Sequence, residues 1–404
     1  MEQSKPSRPT DSTVIMHRPQ NIRDYSAIPL DRNTNLMAET ASATSLDCGK
    51  PVNFLMNEYL NLIQSKNLTD QENISMEFEL GKGGQGIVFY CKSSGSDNFQ
   101  VPVALKFFSP EGYKSEEEYE KGMMYNAKVL STIGAIQHDN LLAIRNWYKC
   151  NNIQIMEMEW IDGYDLYQLM KNSTIEQMQK NLPKDELAYR MEVVISPGKI
   201  KPRLKTGVAL TIIRRCLDAL SALHEHSIAH GDIKPANIML KKIGGVKIID
   251  YGSTIFLQDA PSLKFCTPLY AAPELLIDKS KPPTPQSDLA SLGYVLIELL
   301  SGQVPFNLFT EDGKPISTQD LIDQKISLVD QMEKILPEDI QGNSMLVNCL
   351  IGMVHPDLRF RFHSAKDAII NESGVGRILR SLVEAHMVSE FDLDIMSWIR
   401  GLNL

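Results

Sequence analysis

No two cysteines stand at the spacing of a metal knuckle or a redox pair. The six in the chain (Cys48, Cys91, Cys150, Cys216, Cys266 and Cys349) are scattered. This excludes a zinc module built on paired cysteines and gives no sign of a disulfide framework, so free thiols in a reducing compartment are expected. Long apolar runs are missing as well, since none reaches the roughly 20 residues that span a bilayer. The longest, Leu289 to Leu300, is interrupted by Ser291 and Glu298 and reads as a buried helix. The N-terminus lacks the basic-then-apolar pattern of a secretory signal. Positive charge is also short: a formal net charge of −9 disfavours a surface for nucleic acid or anionic membrane. A soluble, cytoplasmic protein without a transmembrane segment is therefore expected. The polar N-terminus would also suit a bacterial effector acting inside a host cell.

What is present is ordinary for a soluble globular protein, at 43% hydrophobic and 23% charged residues. Residues 1–50, rich in Ser, Thr, Pro and Asn, bury too little apolar surface to offset their ordering entropy, and disorder is predicted there. Phe54, Leu55, Tyr59, Leu60 and Ile63 recur at helical spacing, which predicts a short amphipathic helix within an extension over 51–75, packed on the domain that follows. From residue 76 the apolar runs shorten: Met76–Leu80, Gly86–Tyr90 and Val101–Phe108 read as strands, as do two segments within Tyr148–Met158. Helical periods occupy Glu116–Ile133, the stretch from Gly163 to Met170, and Gly207–His226, where Ile212, Ile213, Cys216, Leu217 and Leu220 share one side. Beyond 275 nearly everything is helical in period. The tail repeats it with Ile378, Leu379, Leu382, Val383, Met387 and Phe391, a helical extension over 371–404 expected to pack on the larger lobe. Strands first and helices later is the pattern of an α+β architecture with two unequal lobes.

Four motifs carry chemistry. The first, Leu80-Gly81-Lys82-Gly83-Gly84-Gln85-Gly86-Ile87-Val88, fits GxGxxGxV. Glycines there let backbone N–H groups approach phosphate oxygens where a Cβ would collide. A dinucleotide turn would need a helix directly afterwards, whereas Ile87-Val88-Phe89-Tyr90 continues as a strand. The second is Val103-Ala104-Leu105-Lys106. A lysine in an apolar strand is costly unless its ammonium is paired, and triphosphate oxygens would pair it. The third is His230-Gly231-Asp232-Ile233-Lys234-Pro235-Ala236-Asn237, and the fourth Ile248-Ile249-Asp250-Tyr251-Gly252. Asp232 can accept a hydroxyl proton and orient the nucleophile, while Asn237 and Asp250 offer hard oxygen ligands suited to magnesium. Any one of these acids could be a solvated loop residue. Together and in this order they describe metal-assisted phosphoryl transfer.

In these motifs the chain from 76 to 370 resembles the eukaryotic-type Ser/Thr protein kinase family. The resemblance continues through Thr267-Pro268-Leu269-Tyr270-Ala271-Ala272-Pro273-Glu274, Ser287-Asp288-Leu289-Ala290-Ser291-Leu292-Gly293 and His355-Pro356-Asp357-Leu358-Arg359. It implies a protein kinase-like fold, with a small antiparallel-sheet N-lobe (76–158) and a larger helical C-lobe (163–370). It also implies ATP and Mg²⁺ as ligands and a protein Ser/Thr hydroxyl as acceptor. Asp232, Lys234 and Lys106 would be catalytic, and Asn237 and Asp250 would hold the metal. Gly81, Gly83, Gly84, Gly86, Val88, Ala104 and Lys106 would line the nucleotide. Met158 would be the gatekeeper, Glu159 to Ile161 the hinge for adenine, with Asp165 near the ribose and Met239 beneath the base. Arg359 would pair with Glu274.

Against the family pattern, Gly231 replaces an arginine that in most members helps hold a phosphorylated activation segment, so activity independent of that phosphorylation is expected. Counting back from Leu130, the helix position that should carry a glutamate for Lys106 holds Asn126; Glu120 is the nearest acid upstream. Tyr251 keeps an aromatic plug, and Cys266 reads as a passive thiol. The stretch 171–206 is longer than the family needs and carries Lys180, Lys184, Lys199, Lys201, Arg203 and Lys205 with Pro183, Pro197 and Pro202. It reads as a solvated insertion loop, or more sharply as a docking surface for an acidic partner. Three functions stay open: a Ser/Thr protein kinase, a pseudokinase scaffold with weak or partner-dependent activity, and a kinase-fold small-molecule phosphotransferase suggested by Gly231.

Overall fold

Apolar strands with glycine at their turns build the first half of the molecule. The computed structural model describes residues 52–65, 68, 73–259, 267–310, 312–384, 391–400 and 402. The disorder expected over 1–50 and the readings of Cys266 and Met387 fall outside this set.

The helix α1 (Asn53–Ser65) precedes the strands β1 (Ile74–Gly83), β2 (Gly86–Ser94) and β3 (Gln100–Phe108). Helix α1 buries Leu55, Tyr59 and Leu62 while Phe54 and Leu60 face solvent, so its apolar face is rotated from the one expected. After β3 come α2 (Glu116–Ala135), β4 (Ile144–Cys150) and β5 (Ile153–Glu159). The five strands form one antiparallel sheet in the order β1-β2-β3-β5-β4. Gly83 pairs with Gly86, which leaves Gly84 and Gln85 as the turn between β1 and β2. Gly86 has φ +141°, and a Cβ there would stand 1.9 Å from Phe107 O, so only glycine lets β2 leave this turn flush against β3. Helix α2 starts cleanly: Ser115 accepts from Glu118 N, and Glu116, Glu117 and Glu118 oppose the positive end of the helix dipole.

The second half is helical. The strand β6 (Gly163–Asp165) leads into α3 (Leu166–Leu169), α4 (Asn172–Asn181) and α5 (Lys184–Val193). The strands β7 (Ile195–Ser196) and β8 (Arg203–Leu204) then pair as a short hairpin. The stretch expected as a solvated loop is thus two helices and a hairpin, with Thr174, Met178 and Arg190 buried. Next come α6 (Thr206–Glu225) and the short strands β9 (Ile228–Ala229), β10 (Ile238–Lys241), β11 (Val246–Ile248) and β12 (Ile255–Phe256). The helices α7 (Pro273–Ile277) and α8 (Pro285–Ser301) follow. Behind them lie α9 (Thr318–Ser327), α10 (Met332–Ile335), α11 (Glu338–Gln341), α12 (Ser344–Val354), α13 (Ala365–Ile370), α14 (Val375–Glu384) and α15 (Phe391–Arg400).

Helix α8 is the axis of this lobe, buried without a break from Ser287 to Ser301. Its ends explain its length. Thr284 and Ser287 form a capping box, Pro285 occupies the first turn, and Gly302 caps the other end at φ +69°. Helices α6 and α12 pack against it. The tail folds back onto α6 through α14 and α15, where Trp398 is fully buried and Phe391 lies over Gly207. The expected α+β, two-lobed architecture is the one observed. Among the described residues no helix is long and apolar enough to cross a membrane.

Candidate active site

Between the lobes the sheet supplies one cation and the helical half several anions. Lys106 lies on β3 opposite Val88 of β2 and Met156 of β5. Its side chain is 8% exposed, and its ammonium reaches Asp250 Oδ1 at 2.5 Å. Gln85, from the turn between β1 and β2, also meets it, with Oε1 3.2 Å from Lys106 Nζ. The same amide lies 3.5 Å from Ser253 Oγ and presses on Gly252, where a Cβ would fall 1.4 Å from Gln85 Oε1. Asp250, two residues past β11, adopts φ +64° and accepts from Gly252 N. Burial would raise its carboxyl, but Lys106, with Lys234 and His230 behind it, outweighs this and holds it down to about 2.

The loop after β9 is gripped from beneath. Asp288, in the first turn of α8 and 1% exposed, accepts from His230 N and Gly231 N at 2.9 Å each. His224 Nε2 lies 3.0 Å from its Oδ2. Gly231 sits at φ +80°, and an added Cβ would come within 2.7 Å of Ser253 O, so backbone geometry favours glycine there. The carboxylate that follows is held on several sides. Asn237 Nδ2 donates to Asp232 O at 2.8 Å and to its Oδ2 at 3.2 Å. Lys234 Nζ is 2.7 Å from Asp232 Oδ2. The Thr267 hydroxyl donates to Asp232 Oδ1 at 2.8 Å and lies 2.9 Å from Lys234 Nζ.

The remaining nucleotide positions gather on the hinge side. Ala104 pairs with Met158, and Val103 with Glu159. The Glu159 carboxylate turns away to Lys247 and to Ala143 N, and its N–H donates to Ala143 O at 2.9 Å, so its carbonyl is the group left for a base. Ile161 follows in the connection between β5 and β6, partly exposed. Asp165 pairs with Met239 across β6 and β10, which brings these two expected residues side by side. Burial pushes the Asp165 carboxyl up to about 6, against the hydrogen bond it accepts from Gln168 N. Gly83 and Gly84 border open space, with nothing within 4 Å of an added Cβ.

Two expectations are corrected. Arg359 does not reach Glu274 but folds onto Asp357 at the surface. Arg361 makes that pair instead, with Nη1 and Nη2 at 2.7 and 3.1 Å from the two Glu274 oxygens. The chain turns through two more residues before entering the core, so the motif spacing pointed to the wrong arginine. Glu120 does not serve Lys106 either; it pairs with Lys149, 2.8 Å away. Asn126 is half-buried and shares a side of α2 with Met123 and Leu130, one helical turn to either side. Among the described residues the hydrogen-bond partners of Lys106 are Asp250 and Gln85. Helix α2 is tied elsewhere: Phe256 N donates to Tyr125 Oη at 3.0 Å, and Lys128 pairs with Asp259. Gln85, Thr267 and Asp288 are site residues that the motifs named only as letters. Their contacts span 168, 35 and 57 positions of sequence, beyond the reach of local periodicity.

The donor set would suit a nucleoside triphosphate with magnesium. No cluster of three His, Cys, Asp or Glu side chains among the described residues could cage a metal alone. Asp250 and Asn237 add two hard oxygens, which suits an ion that keeps waters and phosphate oxygens as its other ligands. The Asn237 amide nitrogen is committed to Asp232, which leaves its oxygen as the metal-type donor.

Residues 74–370 match the family model described as protein kinase domain. The chain is 33% identical over 181 residues to protein kinase kin1 of Schizosaccharomyces pombe, covering 44% of this chain and 17% of that protein. To the glycogen synthase kinase-3 homolog YGK3 of Saccharomyces cerevisiae it is 34% identical over 206 residues, half of each chain. To the NUAK family SNF1-like kinase 2 of Rattus norvegicus it is 26% identical over 292 residues, 70% of this chain and 40% of that one. The chain thus spans half or less of the length of these curated relatives.

Proposed function

The chain belongs to the protein kinase family, and from that premise we propose that it transfers the γ-phosphate of ATP to serine or threonine hydroxyls of another protein. One observation carries this reading: a threonine hydroxyl, that of Thr267, already lies 2.8 Å from Asp232 Oδ1 and 2.9 Å from Lys234 Nζ. A carboxylate that accepts an aliphatic O–H beside an ammonium is what an incoming Ser or Thr acceptor requires. Asp232 orients the acceptor and takes its proton as the new O–P bond forms and the bond to the leaving ADP oxygen breaks. Lys234 offsets charge on the transferring group. Lys106 and the backbone of Gly81, Gly83, Gly84 and Gly86 hold the phosphates, with Val88, Ala104 and Met239 about the base, the backbone of Glu159 and Ile161 at its edge, and Asp165 at the ribose. Asn237 and Asp250 would hold Mg²⁺, whose contribution when bound is to neutralise phosphate charge.

A second reading has its own support. Lys106 takes its partners from Asp250 and Gln85 rather than from α2, which favours low basal activity raised by a regulatory protein partner that moves the helix. Incubation with γ-labelled ATP and Mg²⁺, with and without a generic protein acceptor, tests both beside Asp250→Ala. Label on protein that vanishes in the variant supports the first reading. A nucleotide-raised melting temperature with no transfer supports the second. Label confined to small molecules would contradict both.

A further inference from the structure

Among the residues that the segment 171–206 sends into the larger lobe, one meets a buried charge. Lys201, in the turn between β7 and β8, forms an ion pair with Glu298 of α8, whose side chain is 1% exposed. The other Glu298 oxygen accepts from the Tyr270 hydroxyl at 2.7 Å. Tyr270 belongs to the same short segment as Thr267, and Tyr270 N donates to Thr267 O at 2.9 Å. A continuous chain of contacts therefore runs from Lys201 through Glu298 and Tyr270 to Thr267, and from Thr267 to Asp232 and Lys234.

The turn that carries Lys201 is seated on the end of α8. Lys201 N and Ile200 N donate to Gly302 O at 3.0 and 3.3 Å. A Cβ on Gly302 would meet Lys201 O at 2.3 Å, and one on Gly198 would meet Gly302 Cα at 2.8 Å. Two backbones this close hold the lysine's Cα in place beside the end of α8. Glu298 needs such a partner: a carboxylate buried this deeply is strongly destabilising without a countercharge. A tyrosine hydroxyl alone does not supply one.

We propose that Lys201 is a positioning residue for the protein acceptor. It sets the Glu298 carboxylate, which sets Tyr270 and with it the segment on which an acceptor chain lies beside Asp232. This rests on the protein kinase reading above and adds to it a role for the insertion. The path from Lys201 to the reacting groups enters through the acceptor side and bypasses Lys106 and the hinge, so acceptor and nucleotide kinetics should respond differently.

The test is steady-state kinetics of the full chain with a protein acceptor and ATP varied separately. Lys201→Met is expected to raise KM for the acceptor about tenfold and leave KM for ATP within about twofold, with Lys201→Arg restoring most of the loss. Tyr270→Phe should act in the same direction, and Lys201→Met with Tyr270→Phe should be no worse than the more damaging single change. Should Lys201→Met alone fail to fold, Lys201→Met with Glu298→Gln removes the stranded charge and is expected to show the same acceptor defect. An acceptor KM unchanged in soluble, folded variants, or effects of Lys201 and Tyr270 that multiply, would overturn the inference. Wild-type protein that phosphorylates no protein acceptor would instead overturn the reading on which it rests, and the inference with it.

Discussion

Asp232 stands in a loop whose backbone is gripped by Asp288, 1% exposed, whereas Lys106 stands beside a helix whose ion pairs lie at the surface. On the first side a buried carboxylate accepts two backbone N–H groups and faces a histidine. Hydrogen bonds to a charged group contribute about 1.5–3 kcal/mol each. On the second side the Lys149–Glu120 and Lys128–Asp259 pairs are 38–66% exposed, and exposed pairs contribute about 0–1 kcal/mol. The larger lobe therefore presents Asp232 and its neighbours preset. The smaller lobe holds its lysine by a contact to Asp250 that a nucleotide and its metal would have to reorganise.

Changes on the rigid side should cost most. Asp232→Asn should lower kcat by about 10²–10⁴-fold, as loss of a general base does, with the melting temperature retained. A loss under tenfold in rapid-quench assays would remove Asp232 from the chemistry. Arg361→Met strands the Glu274 carboxylate beneath the acceptor segment and should cost about 3–5 kcal/mol in denaturant unfolding. Arg359→Met, at an exposed pair, should stay within about 0.5 kcal/mol. Equal effects would mean that the buried pair does not brace this lobe.

The loose side should respond to repair. Asn126→Glu puts a carboxylate on the side of α2 that carries Met123, one turn away, and is expected to raise kcat about three- to tenfold through a charge-assisted bond to Lys106. Unchanged or lower turnover would show that the helix is not what limits the smaller lobe.

The smallest expected effect concerns pH. Asp165, pushed up to about 6, is ionised at neutrality and protonated below its shifted value. KM for ATP should therefore rise a few-fold as pH falls through about 6, and Asp165→Asn should flatten the profile. The stability signs of the two perturbed acids are opposite. Asp165 binds more protons folded than unfolded between about pH 4 and 6, so it subtracts stability as pH rises through that window. Asp250, held down to about 2, contributes stability above about pH 4 that is lost as pH falls toward 2. A profile of ATP KM that Asp165→Asn leaves unaltered would place the ribose elsewhere.

The sheet, the long helices and the acids of the loop were legible because each is local: apolar periodicity marks an element, and a motif keeps its spacing along the chain. What escaped depends on where distant chain segments meet. Arg359 and Arg361 are two positions apart and chemically identical, and only the path of the turn decides which reaches Glu274. Glu298 read as an interruption in an apolar helix, since its partner Lys201 lies 97 residues away. The segment around Lys201 read as solvated because its helices α4 and α5 are polar for most of their length, α4 burying Thr174 and Met178 and α5 only Arg190. At Gly231 the family pattern predicted a lost arginine, and the backbone adds a geometric reason for glycine.

Transfer of phosphate to serine or threonine is tested most directly by the identity of the phosphorylated residue. Wild-type protein, γ-labelled ATP, Mg²⁺ and a mixed protein acceptor should give phosphoserine or phosphothreonine by acid hydrolysis and mass spectrometry, absent with Asp232→Asn. Phosphotyrosine alone, or label on small molecules and none on protein, would contradict it.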